Sequence, residues 1–384
     1  MTKDKVSVRA VHEYDTALIE KNILTGLEEI GGLASFIKPG ETVILKINLL
    51  MGKDPDAAVT THPLFVKAVI GMLQKNNNHV IIADSPGGLF NRKALEKAYL
   101  KSGITAIAEE TGAELNYNTE CSEIKNISGH TVNKMRICDY YTKADKVINL
   151  PKLKTHAMMT YTGAVKNLYG IIPGTDKADL HFRMSQKEVF ADLLVDIHEN
   201  FRPTLTIMDG IVGMEGDGPS SGTPKKIGAI LLSSNAHKLD YAACEIVGMS
   251  LKEVPTLHRS YQRGLLDLSE SIYTEKAKEV ANALKVFDFK KPAKNLQIDF
   301  SRESSPRIIK KLITYFFETK PVILNSCIAC GVCRDHCPAK VITIEKKAVI
   351  HYENCIKCYC CHELCPVSAI TIKESFLVKL LKNR

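Results

Sequence analysis

Up to about residue 250 the chain alternates short aliphatic and β-branched runs with longer stretches whose apolar positions recur every three to four residues. That alternation predicts an α/β layer fold, a mostly parallel sheet with flanking helices. The strands are TVILKI at 42–47, HVIIAD at 79–84, DKVINL at 145–150, TLTIMD at 204–209 and AILLSS at 229–234. Each is apolar on both faces, as a strand covered by helices on either side must be. Helices are expected over 63–75, 92–102, 187–200 and 237–247, whereas 250–300 is polar and weakly patterned and predicts no definite element. Ser305 and Pro306 then supply an N-cap and a first-turn proline for RIIKKLITYFFE, with Ile308, Ile309, Leu312 and Phe316 along one side. This basic amphipathic helix reads as a linker packed on its neighbour, with a membrane-surface or partner-docking helix as the alternative. The tail FLVKLLKNR has the same character and the same two readings.

Composition adds little until cysteine is counted. With 45% hydrophobic and 24% charged residues, the 384-residue chain fits an ordinary globular protein of more than one domain. No run approaches the ~18 uncharged apolar residues of a spanning helix. The start, MTKDKVSVRA, lacks the apolar centre of a signal peptide, so a cytoplasmic protein without a transmembrane segment is expected. The net charge of +8 is concentrated: residues 285–320 hold nine Lys/Arg against four Asp/Glu. That points to one local basic surface rather than a nucleic-acid coat, and no nucleic-acid partner is expected. Of twelve cysteines, nine lie between Cys327 and Cys365, while Cys121, Cys138 and Cys244 are scattered. Clustering of this kind in a cytosolic chain indicates metal rather than disulfides.

Cys327, Cys330, Cys333 and Cys337-Pro338 form C-x2-C-x2-C-x3-C-P, and Cys355, Cys358, Cys361 and Cys365-Pro366 repeat it 28 residues later. This stretch, residues 320–375, resembles the bacterial-type ferredoxins with two 4Fe–4S clusters, and the triple x2 spacing with paired C-P is not that of eight-cysteine zinc modules. The resemblance implies a small α+β ferredoxin-like domain. It also implies crossed ligation: Cys327, Cys330, Cys333 and Cys365 on one cluster, and Cys355, Cys358, Cys361 and Cys337 on the other. Each cluster with its four thiolates carries roughly −2, which would bring the holoprotein to about +4. The second loop has Tyr359 where the first has Gly331, and adds Cys360, read as a spare thiol with an alternative ligand or redox-active thiol as the other option. Residues 339–344 and 367–372 read as matching turn-plus-strand pieces.

In parallel α/β sheets ligands bind beyond the carboxyl ends of the strands. Here those ends carry Lys46 and Asn48, then Asp84-Ser85-Pro86-Gly87-Gly88, then Lys152, Lys154 and His156, then Asp209 with the loop GMEGDGPSSGTP. Between the last two lies THAMMTYTGAVKNLYGIIPGTDKADLH, with Lys166, Asn167 and His181. Lysines among glycines suit an anionic small-molecule ligand, since glycine lets the backbone approach and lysine supplies charge. Gly87-Gly88 is by default a turn, the GMEGDGP loop is either a connection or a lid, and a lone histidine is by default a surface or capping residue. Lys46 stands out because a charge inside an apolar strand is costly unless paired. Lys46, Asn48, Lys154, His156, Lys166, His181 and Asp209 are therefore the candidate catalytic residues.

The stretches KPGETVILKIN, ADSPGG, NLPKLKTH, GAVKNLYGIIPG and DGIVGMEGDGP, spanning 38–219, resemble the domain of unknown function 362 family, often fused to ferredoxin modules. A shorter likeness, GAVKNLYGIIPG with a following His, is similar to the nickel-pincer lactate racemase family and implies an α/β fold only. The resulting organisation is an α/β domain over 1–300, a basic linker helix over 301–319, a two-cluster domain over 320–375 and a basic tail over 376–384. The expected function is a ferredoxin-coupled oxidoreductase passing single electrons from two 4Fe–4S clusters to an anionic substrate or cofactor, with a low-potential electron donor or acceptor protein as partner. The alternative is a noncatalytic electron carrier or adaptor docking a partner redox enzyme. A weaker third is an enzyme of metal or cofactor maturation.

Overall fold

The computed structural model describes residues 2–127, 129–293 and 319–373; the basic helix expected near 305–317 and the tail lie outside the described residues. One nine-stranded sheet organises the larger part of the chain. Its strands are β1 (Ser7–Ala10), β2 (Thr42–Ile47), β3 (His79–Ala83), β4 (Glu114–Leu115), β7 (Lys146–Leu150), β8 (Lys152–His156), β9 (Thr160–Thr162), β10 (Leu205–Glu215) and β11 (Thr223–Ser233), while β5 (Cys121–Lys125) and β6 (Lys134–Cys138) form a separate hairpin. The order is β1-β11-β10-β7-β2-β3-β4, parallel from β10 to β4, with antiparallel β11 and β1 at one edge. The five expected strands are all present, and β2, β3 and β7 are the apolar centre that their sequences predict. The strand β8 was read from sequence only as the polar end of its predecessor. It forms because Pro151, which has no N–H to give, interrupts the ladder between β7 and β8. The chain then resumes beside β10, with Lys152 opposite Asp209 and Lys154 opposite Met214.

Helices α1 (Thr16–Glu29), α2 (Pro63–Lys75), α3 (Arg92–Lys101) and α4 (Ile104–Thr111) precede β4 in the chain. Then come α5 (Ala164–Asn167), α6 (Gly174–Arg183), α7 (Lys187–Asn200), α8 (Ala236–Ile246), α9 (Pro255–Gln262) and α10 (Ala277–Ala283), the last two inside the region whose pattern predicted nothing definite. Residues from α1 and α2 share a buried cluster with β2, and residues from α8, α9 and α10 share another with β11.

Buried charge at the β8–β10 junction is paired. Lys152 Nζ donates to Asp209 Oδ2 at 2.8 Å and to the Tyr14 hydroxyl at 2.7 Å; Tyr14 donates to Asp209 Oδ1 at 2.9 Å, and the His62 backbone N–H to Oδ2 at 3.0 Å. Lys152 and Asp209 are almost wholly inaccessible, so each charge depends on the other.

In the cysteine-rich segment one strand pair joins the two ends and a hairpin lies between them. β12 (Lys320–Ile323) pairs with β15 (Ile370–Lys373), and β13 (Ile342–Ile344) with β14 (Ala348–Ile350); the one-turn helices α11 (Val332–Asp335) and α12 (Cys360–Glu363) follow the first loops. Left-handed backbone at Ala329, Gly331 and Lys340 recurs at Lys357, Tyr359 and Ser368, so the sequence repeat is also a conformational one. Tyr359, with φ of 61°, holds a conformation that favours glycine. Its hydroxyl meets Thr319 Oγ1 at 2.6 Å and its ring is buried with residues of α7.

Asp209→Ala leaves Lys152 buried without a carboxylate and is expected to cost about 3–5 kcal/mol in urea unfolding. Lys152→Met combined with Asp209→Leu should recover most of that loss. A double variant as unstable as the single one would show that the pair matters for something other than charge compensation.

Candidate functional site

The carboxyl ends of β2, β3 and β8 and the α5–α6 segment face the cysteine-rich unit across a cavity. Its walls include Asn48, Ser85, Gly87, Gly88, Lys154, Lys166, Asn167, Tyr169, Lys177 and His181 from the larger part, and His336, Cys360, Glu363 and Leu364 from the smaller. Gly87 and Gly88 serve the docking: a Cβ on the first would lie 2.7 Å from Leu364 Cδ2, and on the second, whose φ is +94°, 2.8 Å from His336 Nε2.

Three lysines reach this cavity without a carboxylate partner. Lys154 Nζ donates to Asn48 Oδ1 at 2.9 Å and to the Val59 carbonyl at 2.7 Å. Asn48 Nδ2 in turn donates to Asn167 Oδ1 at 2.8 Å, Asn167 Nδ2 to Asn149 Oδ1 at 2.7 Å, and Asn149 Nδ2 to the Ala164 carbonyl at 3.0 Å. Each amide is oriented by the next, so the ammonium is fixed by a directional chain of three asparagines. Lys177 donates to the Ser85 carbonyl. Lys166 has no hydrogen-bond partner among the described residues and lies 5.7 Å from the Tyr169 ring centroid. Burial pushes Lys154 down to about 7, with the charge of Lys166 adding to the effect, and pushes Lys177 down to about 8.

Two carboxylates line the same cavity, Asp84, which is paired with Lys46, and Glu363. Glu363 Oε1 lies 3.1 Å from His156 Nε2. Burial opposes its ionisation, but His156, Lys166 and His181 override that and hold the carboxyl below the usual range. Burial likewise lowers His156 and His181 to about 4. His156 Nδ1 accepts from the Met158 and Met159 backbone N–H groups at 3.2 and 3.3 Å, so in the neutral ring the hydrogen sits on Nε2, toward Glu363.

The predicted residues thus separate. Asn48, Lys154, Lys166 and His181 line the cavity, and His156 stands behind it against Glu363. Lys46 is consumed by Asp84, 2.8 Å away, and by the Ile47 carbonyl. Asp209 is a partner for Lys152 and does not line the cavity. The loop after β10, expected as a connection or a lid, is a clasp: Ser220 Oγ donates to the Glu363 carbonyl at 2.8 Å, and Asp217 Oδ2 accepts from Thr371 Oγ1 at 3.2 Å. Sequence reasoning missed Lys177 and Glu363. Lys177 sits in the same glycine- and lysine-bearing run as Lys166, whereas nothing local marks Glu363.

The cysteines form two enclosed recesses. Cys327, Cys330, Cys333 and Cys365 line one, and Cys337, Cys355, Cys358 and Cys361 the other, each with otherwise mostly apolar walls. Among the described residues no three cysteine sulfurs lie within 4.8 Å of one another. A single tetrahedral zinc ion, with Zn–S of about 2.3 Å, needs sulfurs about 3.8 Å apart, so each recess suits a larger group. The Ala369 backbone N–H points at Cys365 Sγ at 3.1 Å, as donors to a thiolate do.

A family model described as "Domain of unknown function (DUF362)" matches residues 43–245. The thylakoid-associated protein sll1697 of Synechocystis sp. is 31% identical over 317 residues, which is 81% of this chain and 94% of that protein. The lactate racemase apoprotein of Thermoanaerobacterium thermosaccharolyticum aligns with a TM-score of 0.39 and 14% identity over 64% of this chain, which spans 57% of that structure. A Thermotoga maritima protein from structural genomics aligns with a TM-score of 0.36 and 12% identity, over 59% of this chain and 58% of that one. Among the described residues no helix is long and apolar enough to cross a membrane.

Protonated Lys154 and Lys177 attract an anion, and raising the pH through about 7 and then about 8 discharges them. Sulfate, whose charge is constant over this range, should bind most tightly near pH 6 and lose about tenfold or more in affinity by pH 9, by calorimetry. Lys154→Gln should remove the lower step. A flat pH profile in the unaltered protein would contradict the assignment.

Proposed function

The chain belongs to the family described as Domain of unknown function (DUF362); since that description names no reaction, we propose from the site that the protein is an iron–sulfur oxidoreductase exchanging single electrons with a small anionic substrate or cofactor. Cys327, Cys330, Cys333 and Cys365 would hold one 4Fe–4S cluster and Cys355, Cys358, Cys361 and Cys337 the other, which together supply low-potential one-electron transfer when bound. Two recesses of four cysteines each, too widely spaced for single ions, support that assignment and its crossed grouping.

The observation that carries the reading is the position of the segment from Cys360 to Leu364. It is flanked by cysteines of both recesses and is itself a wall of the lysine-lined cavity. An anion held by Lys154, Lys166 and Lys177 lies against that wall. Leu50, Tyr169, Pro219 and Leu364 limit water there, which strengthens each lysine–anion contact. His181, neutral at pH 7, has its Nδ1 buried without a partner, a place for a proton taken up with the electron. The redox partner protein would meet the cysteine unit where Cys330 and Ile328 are exposed. The cytoplasm, where thiols stay reduced, is the compartment this chemistry fits. A simple carrier or adaptor has no use for a cation-lined cavity beside its cysteines.

Cys337→Ala should roughly halve the iron content and abolish the EPR signal of the set containing Cys355, although Cys337 belongs to the first motif. Loss of the other signal would refute the crossed grouping. Lys166→Ala should keep its iron while slowing, by about tenfold or more, reoxidation of the dithionite-reduced protein by the small carboxylates or organic phosphates that reoxidise the unaltered protein. If no small anion accelerates reoxidation of the unaltered protein, the carrier reading replaces this one.

A further inference from the structure

At the end of α7, His198 and Glu199 meet His237 from the first turn of α8, all three side chains nearly inaccessible. Glu199 Oε1 lies 3.0 Å from His198 Nδ1 and 3.1 Å from His237 Nε2, and one ligand atom from each residue lies within 4.8 Å of the others. A hydrogen count constrains this cluster. The Ser260 hydroxyl has one hydrogen and donates it to the Thr256 carbonyl at 2.7 Å, because a carbonyl can only accept. His237 Nδ1, 2.8 Å from Ser260 Oγ, must then be the donor in that contact. In the neutral ring the lone pair on Nε2 therefore points at the Glu199 carboxylate, two acceptors facing each other with a cation required between them.

The geometry points to a site for one divalent transition-metal ion held by His198, Glu199 and His237, separate from the cysteine recesses and from the lysine-lined cavity. Two imidazoles and a carboxylate suit zinc and its first-row neighbours, whereas calcium and magnesium prefer oxygen donors alone. Tetrahedral coordination at about 2.0–2.1 Å places ligand atoms about 3.3 Å apart, a small adjustment from the two contacts to Glu199. The surroundings are those of a metal site. His237 donates its other ring N–H to Ser260, which fixes the tautomer, and Arg202 holds the outer oxygen of Glu199. Glu199 also opens onto a surface recess lined by His130, Arg259, Gln262, Arg263 and Leu265, which provides a path for the ion and room for a water as a further ligand.

Cobalt(II) is the probe. Full-length protein, anaerobic and with its iron content measured before and after, is washed with EDTA and given one equivalent of Co2+, and then examined by elemental analysis and cobalt-edge X-ray absorption. The expected result is about one cobalt per chain with only nitrogen and oxygen in its first shell and the outer-shell scattering of imidazole. His198→Gln with His237→Gln should lower cobalt retention tenfold or more at unchanged iron content. Sulfur in the first shell, or no retained cobalt in the unaltered protein, overturns the proposal and leaves a proton on His237 as the missing cation. Undiminished retention in a folded double variant also overturns it. If the double variant does not fold, the first-shell composition in the unaltered protein decides alone.

Discussion

A carboxylate buried beside a lysine and two histidines fixes how the two parts of this molecule meet. Glu363 belongs to the cysteine-rich unit, yet its charge is stabilised by His156, Lys166 and His181 of the larger one. Separating the units would expose Glu363 to water at little cost. Lys154, Lys166 and Lys177, however, would lose the cavity-lining carboxylate that comes from the cysteine-rich unit, since the other one, Asp84, is paired with Lys46. Docking therefore neutralises part of a cationic surface. The backbone is shaped to allow it: Gly87 and Gly88 give Leu364 and His336 close access, and the loop after β10 clasps the same helix through Ser220.

Two kinds of lysine result. Lys46 and Lys152 face Asp84 and Asp209 at 2.8 Å and are structural, since each compensates a neighbour and none of its charge is left over. Lys154, Lys166 and Lys177 sit on amides, carbonyls and an aromatic ring, which position an ammonium without cancelling it. Retaining uncompensated charge in a poorly solvated place costs stability, a cost that a bound anion would offset.

The strands were readable because each is a continuous apolar run, and the grouping of the cysteines into two sets of four is what the resemblance to two-cluster ferredoxins implies. The recurrence of left-handed backbone at Ala329 and Lys357 and at Gly331 and Tyr359 shows how far that repeat extends into conformation. Lys46 and Asp209 are ion-paired and do not line the cavity: a charged residue at a strand end is equally the sign of a ligand and of a buried ion pair, and only the partner's position separates them. Glu363 and the clasp role of the loop after β10 could not be read at all, because both depend on contacts between segments more than a hundred residues apart. The α9 and α10 region escaped because its helices are short and only partly buried.

In the proposed function the eight cysteines and the lysine-lined cavity act as one site. A potentiometric EPR titration of the full-length protein, anaerobic and with or without saturating sulfate, tests this most directly. Two reduced iron–sulfur signals are expected, and sulfate should lower the reduction potential of one much more than the other, because a nearby anion disfavours adding an electron. The absence of iron–sulfur signals, or two potentials indifferent to sulfate that is shown to be bound, would contradict the account.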